Sequence, residues 1–148
     1  MRFIRSSLFQ LTLFIILIRI ALLVLPWIFT ILVFPEKSNL PFYQFIENSW
    51  IAWDGRIYLY IAQNGYTNVG DPGNFIVFYP FYPLMAKLGL LLFNNPVWVG
   101  IIISLLFYIA AIFIFYRLIK FDFSENVARW SLIMLSIFPT AYFFGAPY

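Results

Sequence analysis

The 148-residue chain contains no cysteine and no histidine. Those absences exclude disulfides, thiolate or imidazole metal sites, Cys/His nucleophilic pairs and histidine acid–base chemistry. Charge is the next scarcity: 10% of the residues are charged, against about 25% in an ordinary soluble domain. Carboxylate chemistry is confined to Glu36, Glu47, Asp54, Asp71, Asp122 and Glu125. The net charge of +3 comes from scattered cations without a basic stripe, so no nucleic-acid partner is expected. No cofactor is expected, the need for a divalent metal is left open by these residue types, and the sequon N-x-S/T does not occur.

What remains is 64% apolar and 23% aromatic, the composition of an all-α integral membrane protein. Residues 8–34 form an apolar run longer than the ~20 residues that span a bilayer. A cleavable signal peptide fits poorly, because the run is too long, Arg19 interrupts it and no small-x-small site follows. The arginines of "MRFIRSS" predict a cytoplasmic N-terminus. A charge at mid-helix costs about 2.5–3.5 kcal/mol on insertion scales, so Arg19 must pair, snorkel or face a site.

Residues 35–74 hold three prolines and four of the six acids and read as a long loop outside the membrane. Residues 75–93 are apolar, but Pro80 and Pro83 interrupt their start. The remaining helix, about 83–93, covers roughly half a bilayer. It is expected to lie at the interface, with Lys87 snorkelling. Residues 97–116 carry no charge and precede Arg117 and Lys120, which predicts a span running outside to inside. That direction requires that 75–93 not cross. Asp122 or Ser124 is positioned to cap a further helix. Residues 131–148 return outward as a third, truncated span and stop at "GAPY" without a polar flank. The expected organisation is one transmembrane domain over 1–148, the N-terminal part of something longer. Its spans are 8–34, 97–116 and 131–148, and its outer loop, 35–96, carries short helices at about 54–64 and 83–93.

The stretch "SWIAWDGRIYLYIAQNGY" (49–66) concentrates polar groups among aromatics. Asp54 stands where a helix would begin and Gly65 where it would end. Ile57, Tyr58, Ile61 and Ala62 share one face at helical spacing. On one reading Asp54 only caps that helix and pairs with Arg56. On the other it is a carboxylate at the hydrocarbon boundary, preceded by Trp50 and Trp53, where aromatics gather and offer flat faces to sugar rings. A general base must come within about 2.6–3.2 Å of the hydroxyl it deprotonates, and a helix N-terminus favours an anion.

The segment "WDGRIYLYIAQNGY" resembles the W-D-x-x-x-Y-x-x-I-A-x-x-G-Y signature of the PIG-V family of membrane mannosyltransferases, through Trp53, Asp54, Tyr58, Ile61, Ala62, Gly65 and Tyr66. "FYPFYPLMAKL" (78–88) is similar to that family's F-[FY]-P-x-[FY]-P-L motif. "SIFPTAYFFGAPY" (136–148) is similar to its F-P-T-[AS]-x-[FY]…A-x-Y block, which usually continues into Ser-Glu-Ser. Order and spacing agree, and the three blocks cover nearly the whole chain.

The resemblance implies a multi-helix glycosyltransferase of the GT-C type, related to the GPI mannosyltransferases and closest in pattern to bacterial members. It implies a polyprenyl- or dolichyl-phosphate mannose donor, a glycolipid or glycan acceptor, and Asp54 as catalytic acid of the first outer loop. Many relatives carry two adjacent acids there, whereas position 55 here is Gly; Glu47 and Asp71 are the remaining candidates for a second carboxylate. The implied reaction is one inverting displacement. Arg56 and Lys87 are candidate partners of the leaving phosphate, and Trp50, Trp53, Tyr58 and Tyr66 are candidate linings of the sugar site. The rival reading is a non-catalytic membrane subunit, scaffold or transporter fragment. Transporters tend to keep ionisable groups near the midplane, where this chain has only Arg19. The 148 residues alone are expected to transfer no sugar. The membrane would be the plasma membrane in a bacterium and the endoplasmic reticulum in a eukaryote.

Overall fold

The computed structural model describes residues 2–51, 54–138 and 140, with side chains from residue 9 onward. Trp53 and most of the third motif therefore lie outside the described residues. The described chain is helical throughout: α1 (Arg2–Val33), a 3-10 turn (Pro35–Lys37), α2 (Phe42–Trp50), α3 (Asp54–Asn64), a 3-10 segment (Asp71–Val77), α4 (Phe81–Leu90), α5 (Pro96–Asp122) and α6 (Glu125–Ile137). The elements divide into two compact units. One runs to Phe42 and resumes at Phe107; the other is Tyr43–Leu106.

In the first unit Leu11 and Ile15 of α1 pack with Tyr108, Ile112 and Tyr116 of α5 and with Ala128 and Leu132 of α6. The outer faces stay apolar: Leu13, Leu17, Leu25, Phe29, Ile114 and Leu118 are exposed. So much exposed hydrocarbon suits lipid rather than water. Two helices are long and apolar enough to cross a membrane, Phe9–Val33 and Pro96–Asp122. The second outruns the expected 97–116, so Arg117 and Lys120 sit inside α5 rather than after it. Asn95 starts it, accepting from Trp98 N at 3.2 Å through Oδ1, and Pro96 fills the first position, where its missing N–H has no intrahelical partner to lose. Of the expected third span, residues 131–137 belong to α6 and residues 141–148 lie outside the described set. Ser124 is the cap of α6, its hydroxyl accepting from Val127 N.

Arg19 finds a partner inside the protein. It is 3% exposed, and its guanidinium carbon stands 3.7 Å from the centroid of the Tyr108 ring. Ser136 Oγ donates to Leu132 O at 2.7 Å, so the 2.9 Å bond between Ser136 and Tyr108 is donated by the Tyr108 hydroxyl. The ring is thus fixed with its face to the cation. A desolvated cation–π contact is worth about 2 kcal/mol or more, which offsets much of the insertion cost.

In the second unit α3 packs mainly on α4. Helix α3 covers the expected 54–64. Gly65 ends it with φ +78°, and its N–H bonds to Ile61 O at 2.8 Å, the left-handed C-terminal stop that glycine adopts without a Cβ penalty. The buried face is Gly55, Leu59, Ile61 and Ala62. Leu59 thus replaces Ile57 and Tyr58, which are half-buried.

Two expectations need correction. Residues 42–50 are not loop but α2, burying Phe45, Ile46 and Trp50. And Pro83 does not delay α4: the helix starts at Phe81 with Pro80 as its N-cap, so Pro83 falls in the first turn, where its missing N–H breaks no helical bond. At 10 residues α4 is about 15 Å long, too short to cross.

Candidate active site

Helix α3 presents two flanks, one within the arc of its buried residues Ile61, Ala62, Gly55 and Leu59 and one opposite that arc. Residues four apart share a flank, whereas residues two apart are about 200° apart around the axis. Asp54 and Tyr58 therefore lie together, and Arg56 lies across the helix with Tyr60 and Gln63. The expected Asp54–Arg56 pair does not form. The ion pairs among the described residues both involve Glu125, with Lys120 at 3.4 Å and Arg129 at 3.7 Å. Arg56 instead donates through Nε to Ile51 O at 3.2 Å.

On the Asp54 flank the first two motifs meet. Tyr58 contacts the rings of Phe78 and Tyr82 edge-on, each with centroids 5.4 Å apart. Tyr66, after the Gly65 stop, turns back so that its hydroxyl donates to Phe78 O at 2.6 Å. Phe78 is also edge-on to Phe75 at 6.3 Å. Edge-to-face geometry adds about 0.5–1.5 kcal/mol per pair beyond burial, so the corner is held by several weak contacts acting together. Tyr82 anchors it to α5: its hydroxyl donates to Gly100 O at 2.9 Å and lies 3.1 Å from Ser104 Oγ. The join is tight at Gly89, where a Cβ would stand 2.7 Å from Val99 Cγ1 and 3.2 Å from Ile103 Cδ1.

Electrostatics agree with that placement. Burial raises the Tyr58 hydroxyl above the ordinary phenol range, and the negative charge of Asp54 raises it further. Burial pushes Tyr82 up to about 12, against an opposing hydrogen bond from Ser104. Both phenols keep their protons at neutral pH and act as donors. Asp54 itself is exposed at the head of α3. A carboxylate open to an incoming group beside a protonated phenol can accept a proton from one hydroxyl while the phenol bonds another oxygen.

The remaining candidates separate. Trp50 is 1% exposed; it is enclosed in the unit's core and presents no ring face. Lys87 is exposed on α4, in its last turn. Glu47 and Arg56 are not beside Asp54 but line one groove with Gln44, Asn48, Tyr60 and Gln63. Asp71 is exposed at the start of its 3-10 segment. Among the described residues no three acids gather where a metal ion could be held. The corner's Phe75 and Tyr82 had not been singled out in the sequence, although Tyr82 belongs to the repeated "FYP" echo at 78–83.

Residues 78–146 match the family model of the dolichyl-phosphate-mannose-protein mannosyltransferases. The match opens at Phe78, the residue that contacts both Tyr58 and Tyr66. No curated protein matches, and no solved structure matches. Together with the two long apolar helices, the match supports a membrane glycosyltransferase of the mannosyltransferase type.

Proposed function

We propose that this chain belongs to the PIG-V branch of the GT-C glycosyltransferases and moves mannose from a polyprenyl-phosphate carrier to a hydroxyl acceptor at the outer membrane face. One observation carries the reading. Asp54 and Tyr58 of the first motif share a corner with Phe78 and Tyr82 of the second, and the family match begins at that corner. That corner sets an exposed acid on the same side of α3 as the Tyr58 phenol, while Tyr82 anchors it to α5.

In the proposed reaction Asp54 accepts the proton of the acceptor hydroxyl, the oxygen attacks the anomeric carbon, and polyprenyl phosphate leaves with the bonding pair. Tyr58 hydrogen-bonds the sugar or the leaving oxygen. Lys87, exposed in the last turn of α4, offers a charge to the phosphate. Arg56 does not, since it lies across α3. Because attack and departure take place on opposite faces, the product has the anomeric configuration opposite to the donor's. Analysis of the linkage checks this: a product that retains the donor's configuration rules out a single displacement.

The outer-face placement has its own test. With the N-terminus inside, residues 35–96 lie outside and Arg117–Arg129 inside. The chain has no native cysteine, so single cysteines report cleanly. An impermeant thiol reagent on intact cells should label positions Asn68 and Asn94 and spare Asn126. Protection of Asn94 with labelling at Asn126 would mean that the α4 region crosses.

A further inference from the structure

The second flank of α3 carries a site of its own. Gln44, Glu47 and Asn48 follow the i, i+3, i+4 pattern of one face of α2, with Ile51 just past its end, and Arg56, Leu59, Tyr60 and Gln63 share one side of α3 at i, i+3, i+4, i+7. These two stripes face each other across a groove of about 590 Å³, closed at one end by Pro96 and Val97 at the start of α5. Drug-sized ligands occupy cavities of roughly 300–1,000 Å³, so a disaccharide fits.

The chemistry of the walls narrows the occupant. Three primary amides, Gln44, Asn48 and Gln63, each offer a donor and an acceptor. Glu47 supplies acceptors, and Arg56 supplies donors from a guanidinium pinned by its Nε bond to Ile51 O. The Tyr60 ring is held edge-on by Phe75, with centroids 5.5 Å apart, and so gives the groove a fixed flat surface. A phosphate is poorly served, because the one cation shares the groove with Glu47. An acyl chain is poorly served by amides. An extended peptide adding by its backbone needs a free sheet edge, which two helices do not offer. Neighbouring hydroxyls on a ring with an apolar C–H face match what is present.

We propose that this groove binds a neutral saccharide, the glycan portion of the acceptor, on the side of α3 opposite Asp54. The proposal takes the occupant's role, though not its chemistry, from the glycosyltransferase reading. The two stripes make α3 a partition, with the reacting hydroxyl handled at its head and the rest of the glycan held behind it.

The test is saturation-transfer NMR on the chain in nanodiscs, with mannobiose as probe and inorganic phosphate as the charged comparison. Gln44→Met and Gln63→Met keep length and remove the hydrogen bonds. With the hydrogen bonds of both amides lost, the double variant should bind mannobiose on the order of tenfold or more weakly, with its helical circular dichroism unchanged. Absence of mannobiose signal in the wild type, an equal signal in the folded double variant, or phosphate displacing mannobiose would each overturn the proposal. The assay is separate from catalysis. Loss of transfer in Asp54→Asn without saccharide binding would sink the groove and spare the base. Binding with normal transfer in Asp54→Asn would do the reverse.

Discussion

Asp54→Asn should reduce sugar transfer by roughly 10²–10⁴, the usual share of general-base catalysis, while expression and thermal stability stay near wild type. Asparagine matches aspartate in size and is nearly its equal as a helix N-cap, so the head of α3 keeps its local structure. It cannot take a proton. A residue that served only to start the helix would therefore tolerate the change, and normal activity in a folded Asp54→Asn would assign the base elsewhere. Asp54→Ala also removes the acid from the first turn of α3, where a negative charge is worth about 0.3–1 kcal/mol, and should lose both activity and some stability. Comparing kcat in the intact enzyme with thermal unfolding of the same preparations separates the two roles. Should Asp54 fail, Glu47 is the better of the remaining acids, since it shares a groove with Arg56, whereas Asp71 is exposed at the head of a separate segment.

Gly89→Leu should be the most damaging substitution outside the acid. Even the first carbon of a side chain at Gly89 would stand 2.7 Å from Val99 Cγ1, well inside van der Waals contact, and three further carbons have nowhere to go. Forcing extra methylenes into packed interiors costs about 1–3 kcal/mol, sometimes more. The cost falls on one joint: α4 must move off α5, which pulls Tyr82 from Gly100 O and Ser104 and Phe78 from Tyr58. Transfer should fall together with thermal stability. Gly89→Ala should show the same pattern in milder form, because a single methyl demands a smaller displacement of α4 from α5 than a leucine side chain. A Gly89→Leu protein as stable and active as wild type would mean that α4 does not dock through this contact.

The legible parts of the fold were those written in local chemistry. Asp54 opens α3 and Gly65 closes it, because an acid in the first turn and a positive-φ glycine act within a turn of where they stand. Ser124 marked α6 for the same reason. The missed helix α2 also had a signal: Phe42, Phe45, Ile46 and Trp50 follow helical spacing, but the nearby prolines and polar residues gave the stretch the look of loop. Pro83 misled in the opposite direction, since proline interrupts a helix interior yet fits a first turn.

The candidate site was legible in membership more than in arrangement. Asp54 and Tyr58 are four apart and share a flank; Arg56 is only two residues from each but turned away by about 200°, so nearness along the chain was a poor guide. Trp50 could be read as an interfacial ring only until packing enclosed it. The corner of Tyr58, Phe78 and Tyr82 depends on how α3 and α4 dock, and nothing within either segment encodes the angle of that docking. The groove behind α3 needed two helices, one of which the sequence reading had not recognised.

The most direct measurement is transfer of radiolabelled mannose from purified polyprenyl-phosphate mannose, in membranes that differ only in whether the intact gene is present. The account predicts label moving to a hydroxyl acceptor in the gene-bearing membranes, with no requirement for a nucleotide sugar. Label moving only from a nucleotide sugar, or equally well without the gene, would contradict it.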